Sequence, residues 1–467
     1  MHHYTLLAFA IYFCILITIG LLASRKQKND TDFMLGGRRL NYWVTAISAN
    51  AADMSAWLFL GMPMAIYAEG FMQFWTAISL VIFMFLNWHI VAPRLRVATE
   101  KYGSLTLFSF FEARTDDKSG MLRITSAFWC LLFLTTYVAA NLSALGNMFE
   151  LLFGVNYYYG CFIGIAAIAF YTYIGGFSAI AWTDFFQGIF LLVAIIIVPL
   201  LAMEHVGGMS AVVSAAEHKG VPLTLFPDFS QATLLSILSM TVGWGFGYFG
   251  QPHILNKFMG IDKASELHKS KYVSTAWQIL ALSASAFAGL VAIAYFHTVP
   301  LHSKELIFPQ MVNGLFHPFL GGFILCAVFA ATLSTMDSML LVLASVLAED
   351  IYKKTLAKNP SEKQVLWASR ISVVIVACVA LVIAFNKSKT IFDLVNFCWV
   401  GLGCAFGPLV LMSLYAKNIT RQGALVGMLF GGIVGALWGV FNTQISAMLP
   451  GFFGGLLVIY LVSKLTK

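Results

Sequence analysis

The stretch Ser48-Ala-Asn50-Ala-Ala-Asp53-Met-Ser55-Ala-Trp57 decides the fold, because it places an acid, an amide and two hydroxyls inside an apolar run at residues 41–61. An ionisable group inside a bilayer costs on the order of 2.5–3.5 kcal/mol on insertion scales, so its presence needs a reason. Gly61 and Pro63 follow shortly afterwards. The pattern predicts a transmembrane helix that is interrupted near the middle of the membrane, with Asp53 at the interruption.

The composition of the whole chain agrees with a membrane-spanning protein. Of the 467 residues, 60% are hydrophobic and only 10% are charged, against roughly 45–50% and 25% in soluble domains. Mean hydropathy is +0.82. These values exclude disordered chains, collagen and secreted disulfide scaffolds, and they predict an all-α polytopic membrane protein. The net charge of +7 is no sign of a nucleic-acid partner, because the basic residues of a membrane protein usually set its topology.

A helix needs about 20 apolar residues to cross a bilayer, and the chain contains thirteen such stretches. They are residues 4–23, 41–61, 71–92, 123–149, 157–176, 180–203, 232–250, 274–297, 317–347, 368–386, 391–415, 421–441 and 446–463. If the N-terminus is outside and the loops alternate, every Lys and Arg lies on the cytoplasmic side except Lys219, Lys304, Lys387 and Lys389. This segregation follows the positive-inside rule and predicts an external N-terminus and an internal C-terminus.

A second interruption, Gly243-Trp-Gly-Phe-Gly-Tyr248-Phe-Gly-Gln-Pro252, lies five spans after the first. Each glycine in a helix interior costs roughly 1 kcal/mol relative to alanine, and Pro252 removes a backbone donor. Close helix packing through small residues is one explanation. Two broken helices at corresponding places in two five-helix halves are instead typical of inverted-repeat secondary transporters, which bind their ion and substrate at the unwound backbone.

Two later spans also contain acids. The ninth carries Ala331-Thr-Leu-Ser334-Thr335-Met-Asp337-Ser338, and its clustered hydroxyls would supply hard oxygen ligands to a small cation such as sodium, by analogy with calcium and magnesium. Isolated Ser and Thr residues often bond back to their own helix, so only the clustering is informative. Asp184 lies at the start of the sixth span, where a helix cap, an arginine partner and a functional role remain alternatives.

Motifs of enzymes and ATP-driven pumps are absent from the sequence. It has no GxxxxGK[ST] loop for the phosphates of ATP, no facing histidine pair for haem, and no loop long enough for an independent catalytic domain. We therefore expect residues 1–467 to form a single transmembrane transporter domain that is not an enzyme.

Taken in order along the chain, these stretches resemble the sodium/solute symporter family and, within it, a proline-transporting bacterial branch. The likeness covers nearly the whole chain. It rests on Leu35-Gly-Gly-Arg38, Asp53-Met-Ser-Ala-Trp57, Tyr173-Ile-Gly-Gly176 with Trp182-Thr-Asp184, Gly243-Trp-Gly-Phe-Gly-Tyr-Phe-Gly-Gln-Pro-His-Ile254, Ser334-Thr335, and Gly403-Cys-Ala-Phe-Gly-Pro408. The resemblance implies a five-plus-five inverted-repeat core with broken helices 2 and 7. Residues of about 41–203 would form the first repeat and 232–415 the inverted second, with helix 1 and residues 421–463 accessory.

The resemblance also implies where the ligands bind. Sodium, the one cofactor expected, would lie between the broken second span and the ninth. Its ligands would be the backbone oxygens of Ala51, Met54 and Ala331 and the hydroxyls of Ser334 and Thr335. L-proline would lie alongside, in contact with Ser55, Trp57, Tyr137, Trp244, Tyr248 and Pro252. Tyr137 could equally be an ordinary aromatic residue of the bundle.

Four charged residues are matched by the resemblance to coupling or gating positions. Asp53 matches an acid that is needed for sodium coupling, and Asp184 matches an acid with a supporting electrostatic role. Arg38 and Arg370 match basic residues near the cytoplasmic gate.

Five positions depart from the pattern of the proline-transporting branch. They are Ala52 in place of Ser, Ala56 in place of Gly, Gln73 in place of Glu, Asn141 in place of Gly and Lys257 in place of Arg, the last in a cytoplasmic loop expected at 251–273. Ala56 and Asn141 could both change the substrate pocket, whereas sodium coupling is little affected by them.

These features together predict a sodium-coupled secondary active symporter that imports L-proline by alternating access. It would work in the bacterial cytoplasmic membrane without a nucleic acid or an obligate protein partner. A sodium symporter for pantothenate, for another amino or organic acid, or for a sugar is the alternative. A membrane sensor is disfavoured because no output domain follows the last span, and a passive channel would not need paired broken helices.

Overall fold

Apolar runs of this length satisfy their backbone hydrogen bonds inside a bilayer by forming helices, and helices make up the bulk of the molecule. The computed structural model describes residues 2–24, 30–296, 301–357, 360–386, 390–441 and 445–467. In the first half of the chain the helices are α1 (His2–Ser24), α2 (Asp30–Leu35), α3 (Tyr42–Met54), α4 (Gly61–Glu69), α5 (Phe74–Leu86), α6 (Ala92–Lys101), α7 (Leu107–Arg114), α8 (Met121–Phe153), α9 (Tyr157–His205) and α10 (Met209–Lys219).

The second half of the chain continues the same architecture. Its helices are α11 (Gln231–Gly245), α12 (Pro252–Met259), α13 (Leu267–Tyr295), α14 (Ile307–Leu315), α15 (Pro318–Ser345), α16 (Glu362–Ala384), α17 (Ile391–Tyr415), α18 (Arg421–Phe441) and α19 (Gly454–Leu465). Within the described ranges, the strand-like pairing is confined to one isolated bridge between Leu40 and Ile261. The predicted all-helical class is therefore confirmed.

Ten helical stretches in the described part of the chain are long and apolar enough to cross a membrane. They are His3–Ala23, Phe71–Lys101, Met121–Phe153, Gly175–His205, Gln231–Gly250, Ala264–Tyr295, Pro318–Lys354, Glu362–Ala384, Ile391–Tyr415 and Arg421–Phe441. Two shorter apolar helices, Tyr157–Ala169 and Leu449–Leu465, accompany them. The protein is thus a multi-pass membrane protein.

The predicted interruption of the second span lies at Ser55. Helix α3 ends at Met54, a 3-10 turn covers Ala56–Leu58, and α4 begins at Gly61. Ser55 has φ 50° and ψ −169°, a region that costs of order 1–3 kcal/mol for a residue with a side chain. Its hydroxyl offsets part of this cost by accepting the backbone N–H of Trp57 at 3.1 Å.

The second predicted interruption separates α11 from α12. The helix tightens to 3-10 geometry over Phe246–Gly250, and Gln251 is extended (φ −88°, ψ 102°) before Pro252 starts α12. The amide of Gln251 donates to the carbonyls of Gly247 and Trp399, both at 3.1 Å. One side chain therefore satisfies a carbonyl oxygen of the interrupted segment and connects that segment to α17.

The two broken helices are joined at one end. Leu40, just before α3, donates its N–H to Gly260 O at 3.2 Å, and Asp262 N–H donates to Leu40 O at 2.9 Å. Helix α15 is central in the bundle. In the apolar 18-residue stretch of the span that contains it, 83% is buried, compared with 28% in the corresponding stretch of α1. The site residues on α15 therefore lie deep in the bundle.

The prediction of a cytoplasmic loop at 251–273 is wrong. Helix α12 and the start of α13 occupy most of it, because the amphipathic run after Pro252 packs against α3 and α6. Lys257 lies within α12 and is only 2% exposed. The expected division between the spans 157–176 and 180–203 coincides with a kink in α9 (Tyr157–His205) at Gly176, which is non-helical (φ 55°, ψ −175°).

Candidate functional site

A small cavity lies where the two broken helices meet. Its walls are mainly aromatic, with one acid among them. They are formed by Asp53, Met54, Trp57, Leu80, Tyr137, Trp244, Tyr248, Val395 and Trp399. We call this space the aromatic cavity. It contains four of the six residues predicted to contact substrate.

The acid of the aromatic cavity is held by a chain of side chains from the second break. The hydroxyl of Tyr248 donates to Asp53 Oδ2 at 2.6 Å, and Gln278 Nε2 donates to the Tyr248 hydroxyl oxygen, also at 2.6 Å. All three side chains are buried. Asp53 on the first broken helix is therefore oriented by a residue of the second, through a short hydrogen bond.

The indoles form one continuous wall. The ring centres of Trp57 and Trp244 are 5.0 Å apart, and those of Tyr248 and Trp399 are also 5.0 Å apart, with the rings nearly perpendicular. Trp399 Nε1 donates to Trp244 O at 2.8 Å. By contrast, the buried Nε1 of Trp57 has no hydrogen-bond partner among the described residues, and this edge of the ring packs against Gly61 of α4, where an added Cβ would lie 3.0 Å from Nε1.

The other predicted substrate residues lie nearby or elsewhere. Ser55 forms the break itself, beside the side chain of Tyr137. Pro252 does not line the aromatic cavity. It lines a separate space of about 310 Å3 together with Thr106, Asn256 and Ser345.

Four of the predicted sodium ligands meet between α3 and α15. Ser334 Oγ donates to Ala51 O at 2.9 Å and lies 3.1 Å from Ala331 O. Thr335 Oγ1 lies 3.0 Å from Ala331 O and 3.4 Å from Ala51 O. We call Ala51, Ala331, Ser334 and Thr335 the oxygen cluster. Met54, the fifth predicted ligand, ends α3 and lines the aromatic cavity.

Asp184 is neither a helix cap nor the partner of an arginine. It lies inside α9, where Lys257 Nζ is 2.7 Å from its Oδ2 and Ser338 Oγ donates to the same oxygen at 3.2 Å. Asp337, one residue away on α15, is buried, and its Oδ1 has no partner in the described part of the chain. Asp337 also faces a larger, apolar space of about 810 Å3 between α1 and the bundle.

Arg38 and Arg370 lie on separate elements. Arg38 Nη1 donates to Met259 O at 2.8 Å and to Thr99 Oγ1 at 3.3 Å, while its Nη2 donates to Ser104 O at 2.9 Å. The guanidinium carbon of Arg370, on α16, is 6.0 Å from the ring centre of Trp367. Arg38 thus connects the segment before α3 to α6 and α12.

Sequence reasoning missed several residues of the site. Leu80, Val395 and Trp399 line the aromatic cavity, but apolar residues on apolar helices give no signal in one sequence. Gln278 was a polar residue inside the eighth span and could have been singled out on the same grounds as Asp53. The partnership of Lys257 with Asp184 depends on tertiary packing between α12 and α9.

Comparisons with known proteins agree along the whole chain. The profile of the Sodium:solute symporter family matches residues 33–431. The high-affinity proline transporter PutP of Bacillus subtilis (strain 168) is 41% identical over 459 residues, which are 97% of this chain and 96% of that protein. The sodium/proline symporter of Escherichia coli (strain K12) is 38% identical over 471 residues, covering 99% and 93% of the two chains.

Solved structures share the architecture. A substrate-bound, outward-open Na+-coupled sialic acid symporter aligns with a TM-score of 0.84 at 18% identity, covering 99% of this chain and 98% of that one. The nucleobase-cation symporter Mhp1 aligns with a TM-score of 0.62 at 13% identity, covering 94% and 96%. At these identities the likeness shows a shared transporter fold.

Proposed function

The chain belongs to the sodium:solute symporter family, and from this premise we propose that it imports L-proline together with sodium by alternating access. The protein is a transporter and not an enzyme. One observation carries the choice of solute and ion: the aromatic cavity and the oxygen cluster share the last turn of α3. Asp53 lines the aromatic cavity, and Ala51 belongs to the oxygen cluster.

The aromatic cavity suits a small ring with a charge at each end. The pyrrolidine ring of proline is apolar and would pack against the indole and phenol rings, as aromatic walls favour. Its cationic imino group gains from aromatic faces and from Asp53. Its carboxylate needs a donor or a cation, and sodium in the oxygen cluster would supply the positive charge. Ser55, Tyr137, Trp244 and Tyr248 complete the substrate site in this proposal.

Sodium would bind in the oxygen cluster. The hydroxyls of Ser334 and Thr335 point at the carbonyls of Ala51 and Ala331. Rotation of these hydroxyls would turn their lone pairs towards an ion, and the two carbonyls, joined by that of Met54, would complete a shell of hard oxygen ligands. Because the ion and the substrate meet the same turn of α3, binding of either favours the same occluded state, which is the source of coupling.

The topology of the proposal has thirteen crossings, in which the broken pairs α3–α4 and α11–α12 each count once and α9, kinked at Gly176, counts twice. The two repeats cover about 41–203 and 232–415, with an external N-terminus and an internal C-terminus in the cytoplasmic membrane. The correspondence of the two breaks supports this arrangement. Asp184 steadies the bundle beside the ion, and Arg38 and Arg370 serve the cytoplasmic gate.

The energy is sufficient for accumulation. One sodium ion moving down a 100 mV potential supplies about 2.3 kcal/mol, or roughly fifty-fold accumulation of solute, before its own concentration gradient is counted.

Uptake of labelled L-proline into proteoliposomes tests the proposal. An inward sodium gradient should drive saturable accumulation. Thr335→Val should raise the sodium concentration for half-maximal uptake about tenfold, because it removes a ligand. Thr332→Val is the matched control, since the Thr332 hydroxyl bonds Val328 O of its own helix at 2.7 Å. Accumulation of another small solute in place of proline would contradict the substrate but keep the coupling.

A further inference from the structure

Asn141 is a buried amide that connects two walls of the aromatic cavity without lining it. It lies on α8, one turn after Tyr137, and is 1% exposed. Its Nδ2 donates to Tyr137 O at 3.1 Å, and its Oδ1 lies 3.5 Å from the N–H of Ala56, which points to it. One side chain therefore joins α8 to the break between α3 and α4.

The start of a helix after a break normally offers free N–H groups to an anion. In this protein the first two of these donors are already engaged. The N–H of Ala56 faces Asn141 Oδ1, and the N–H of Trp57 is taken by Ser55 Oγ at 3.1 Å. A substrate carboxylate at the break must therefore use another partner, which in the proposed function is the sodium ion of the oxygen cluster.

We propose that Asn141 is a specificity-determining positioning residue: by engaging the Ala56 N–H it holds the Trp57 wall at a fixed distance from Tyr137 and keeps the substrate carboxylate from that donor. The inference rests on the proposed uptake of a cyclic amino acid and adds the element that sets the ring size. Asn141 acts through the break and through Tyr137, not by touching the solute.

The physical consequence is a stiff cavity. With Asn141 in place, Trp57 and Tyr137 cannot separate without losing the contact to Ala56 N–H, so a larger ring meets a fixed wall. Without the amide, the Ala56 N–H becomes a donor for a carboxylate and the two walls are free to part. Loss of Asn141 should therefore admit larger rings and weaken the preference for the five-membered one.

The test compares ring homologues of one chemistry. Sodium-driven uptake of labelled L-proline is inhibited with azetidine-2-carboxylate and pipecolate, whose rings have four and six members. Asn141→Leu keeps the size of the side chain but removes the acceptor. Asn141→Gly removes the whole side chain and carries the residue of the proline-transporting branch. Thr136→Val is the control, because the Thr136 hydroxyl is on the same helix and bonds Leu132 O at 2.8 Å on an exposed face.

We expect both Asn141 variants to lower the inhibition constant of pipecolate relative to the KM of proline by about tenfold, with the Thr136 variant unchanged. Titration of the intrinsic tryptophan fluorescence of purified protein gives the same ratio without transport, so reduced turnover cannot mimic the result. A ratio within about twofold of the wild type in both variants would overturn the proposal. Failure of the wild type to take up proline would instead contradict the proposed function, which separates the two results.

Discussion

Lys257 and Asp184 form an ion pair that is buried in the helix bundle, with the ammonium nitrogen 2.7 Å from the carboxylate oxygen. The two residues lie on α12 and α9, so the pair joins the second broken helix to the bent helix of the first half. Ser338 of α15 donates to the same carboxylate. Three helices around the oxygen cluster are therefore connected by a single acid.

Removing one partner of this pair should cost more than removing both. Lys257→Met leaves a carboxylate buried without its counter-charge, which typically costs about 3–5 kcal/mol, whereas replacing both members of a buried pair is often nearly neutral. We expect the double variant Lys257→Met with Asp184→Leu to recover most of the stability lost in Lys257→Met. Unfolding of the purified single and double variants in nanodiscs measures their stability relative to the wild type. Additive losses in the double variant would show that the two charges do not stabilise one another.

Asp53 and Asp337 should differ sharply in their effect on sodium dependence. Asp53 lies one turn from the oxygen cluster and accepts the Tyr248 hydroxyl, whereas Asp337 of α15 lines the apolar space beside α1. Asp53→Asn should raise the sodium concentration for half-maximal uptake by at least about tenfold, or ~1.4 kcal/mol, and Asp337→Asn by much less. Sodium titration of initial uptake rates provides the values. Equal, mild effects would show that the ion binds elsewhere.

Gly247 allows Trp399 to reach the cavity wall. A Cβ at position 247 would lie 2.0 Å from Trp399 Nε1, while one at Gly439, on α18, would meet nothing within 4 Å. Gly247→Ala should therefore displace the Trp399 indole and raise the KM for solute about tenfold or more, and Gly439→Ala should leave it unchanged. Kinetic measurements at saturating sodium distinguish the two. An unchanged KM in Gly247→Ala would show that Trp399 does not belong to the substrate site.

Glu305 should make stability depend on pH. It lies outside the membrane spans, and its Oε1 accepts the N–H groups of Ile391 at 3.0 Å and Phe392 at 3.4 Å. Burial raises the pKa of Glu305 above its ordinary value of 4.5, the two backbone bonds lower it, and the nearby Asp393 raises it further, with a net increase. The folded state then holds the proton more tightly than the unfolded state, so stability should fall as pH rises from 4.5 through the raised pKa.

The substitution Glu305→Gln removes this titration. The unfolding temperature of the wild type should therefore decline more steeply than that of the variant as the pH rises above 4.5. Asp393→Asn should give an intermediate slope, because it removes the repulsion that raises the pKa of Glu305. Parallel curves for the wild type and Glu305→Gln would show that this carboxylate does not govern the pH response.

The two interruptions were predictable because ionisable groups and helix-breaking residues inside a membrane span cost free energy. An acid beside Asn50 and Ser55 needs partners in a bilayer, and the glycine-rich run before Pro252 cannot form a stable continuous helix. Both breaks lie in the predicted segments, at Ser55 and Gln251. Such signals are local, so one sequence is sufficient to find them.

Partners that are distant along the chain were not predictable in the same way. Lys257 looks like one more cytoplasmic lysine by charge counting, yet it is buried against Asp184, 73 positions away. Pro252 belongs to the glycine-rich motif, but α12 turns it towards a separate space. Neither outcome follows from hydropathy or spacing, because each depends on how α9, α12 and α15 pack together.

Arg38 donates to Met259 O, Ser104 O and Thr99 Oγ1 at the end of the bundle that we assign to the cytoplasm. If this end opens once in each cycle, the guanidinium and its three acceptors must replace their mutual hydrogen bonds by hydrogen bonds to water. Opening would then draw water into the protein, and closing would expel it. Water activity therefore acts as a reactant of the cycle, and a concentrated, osmotically stressed cytoplasm would hold this end shut.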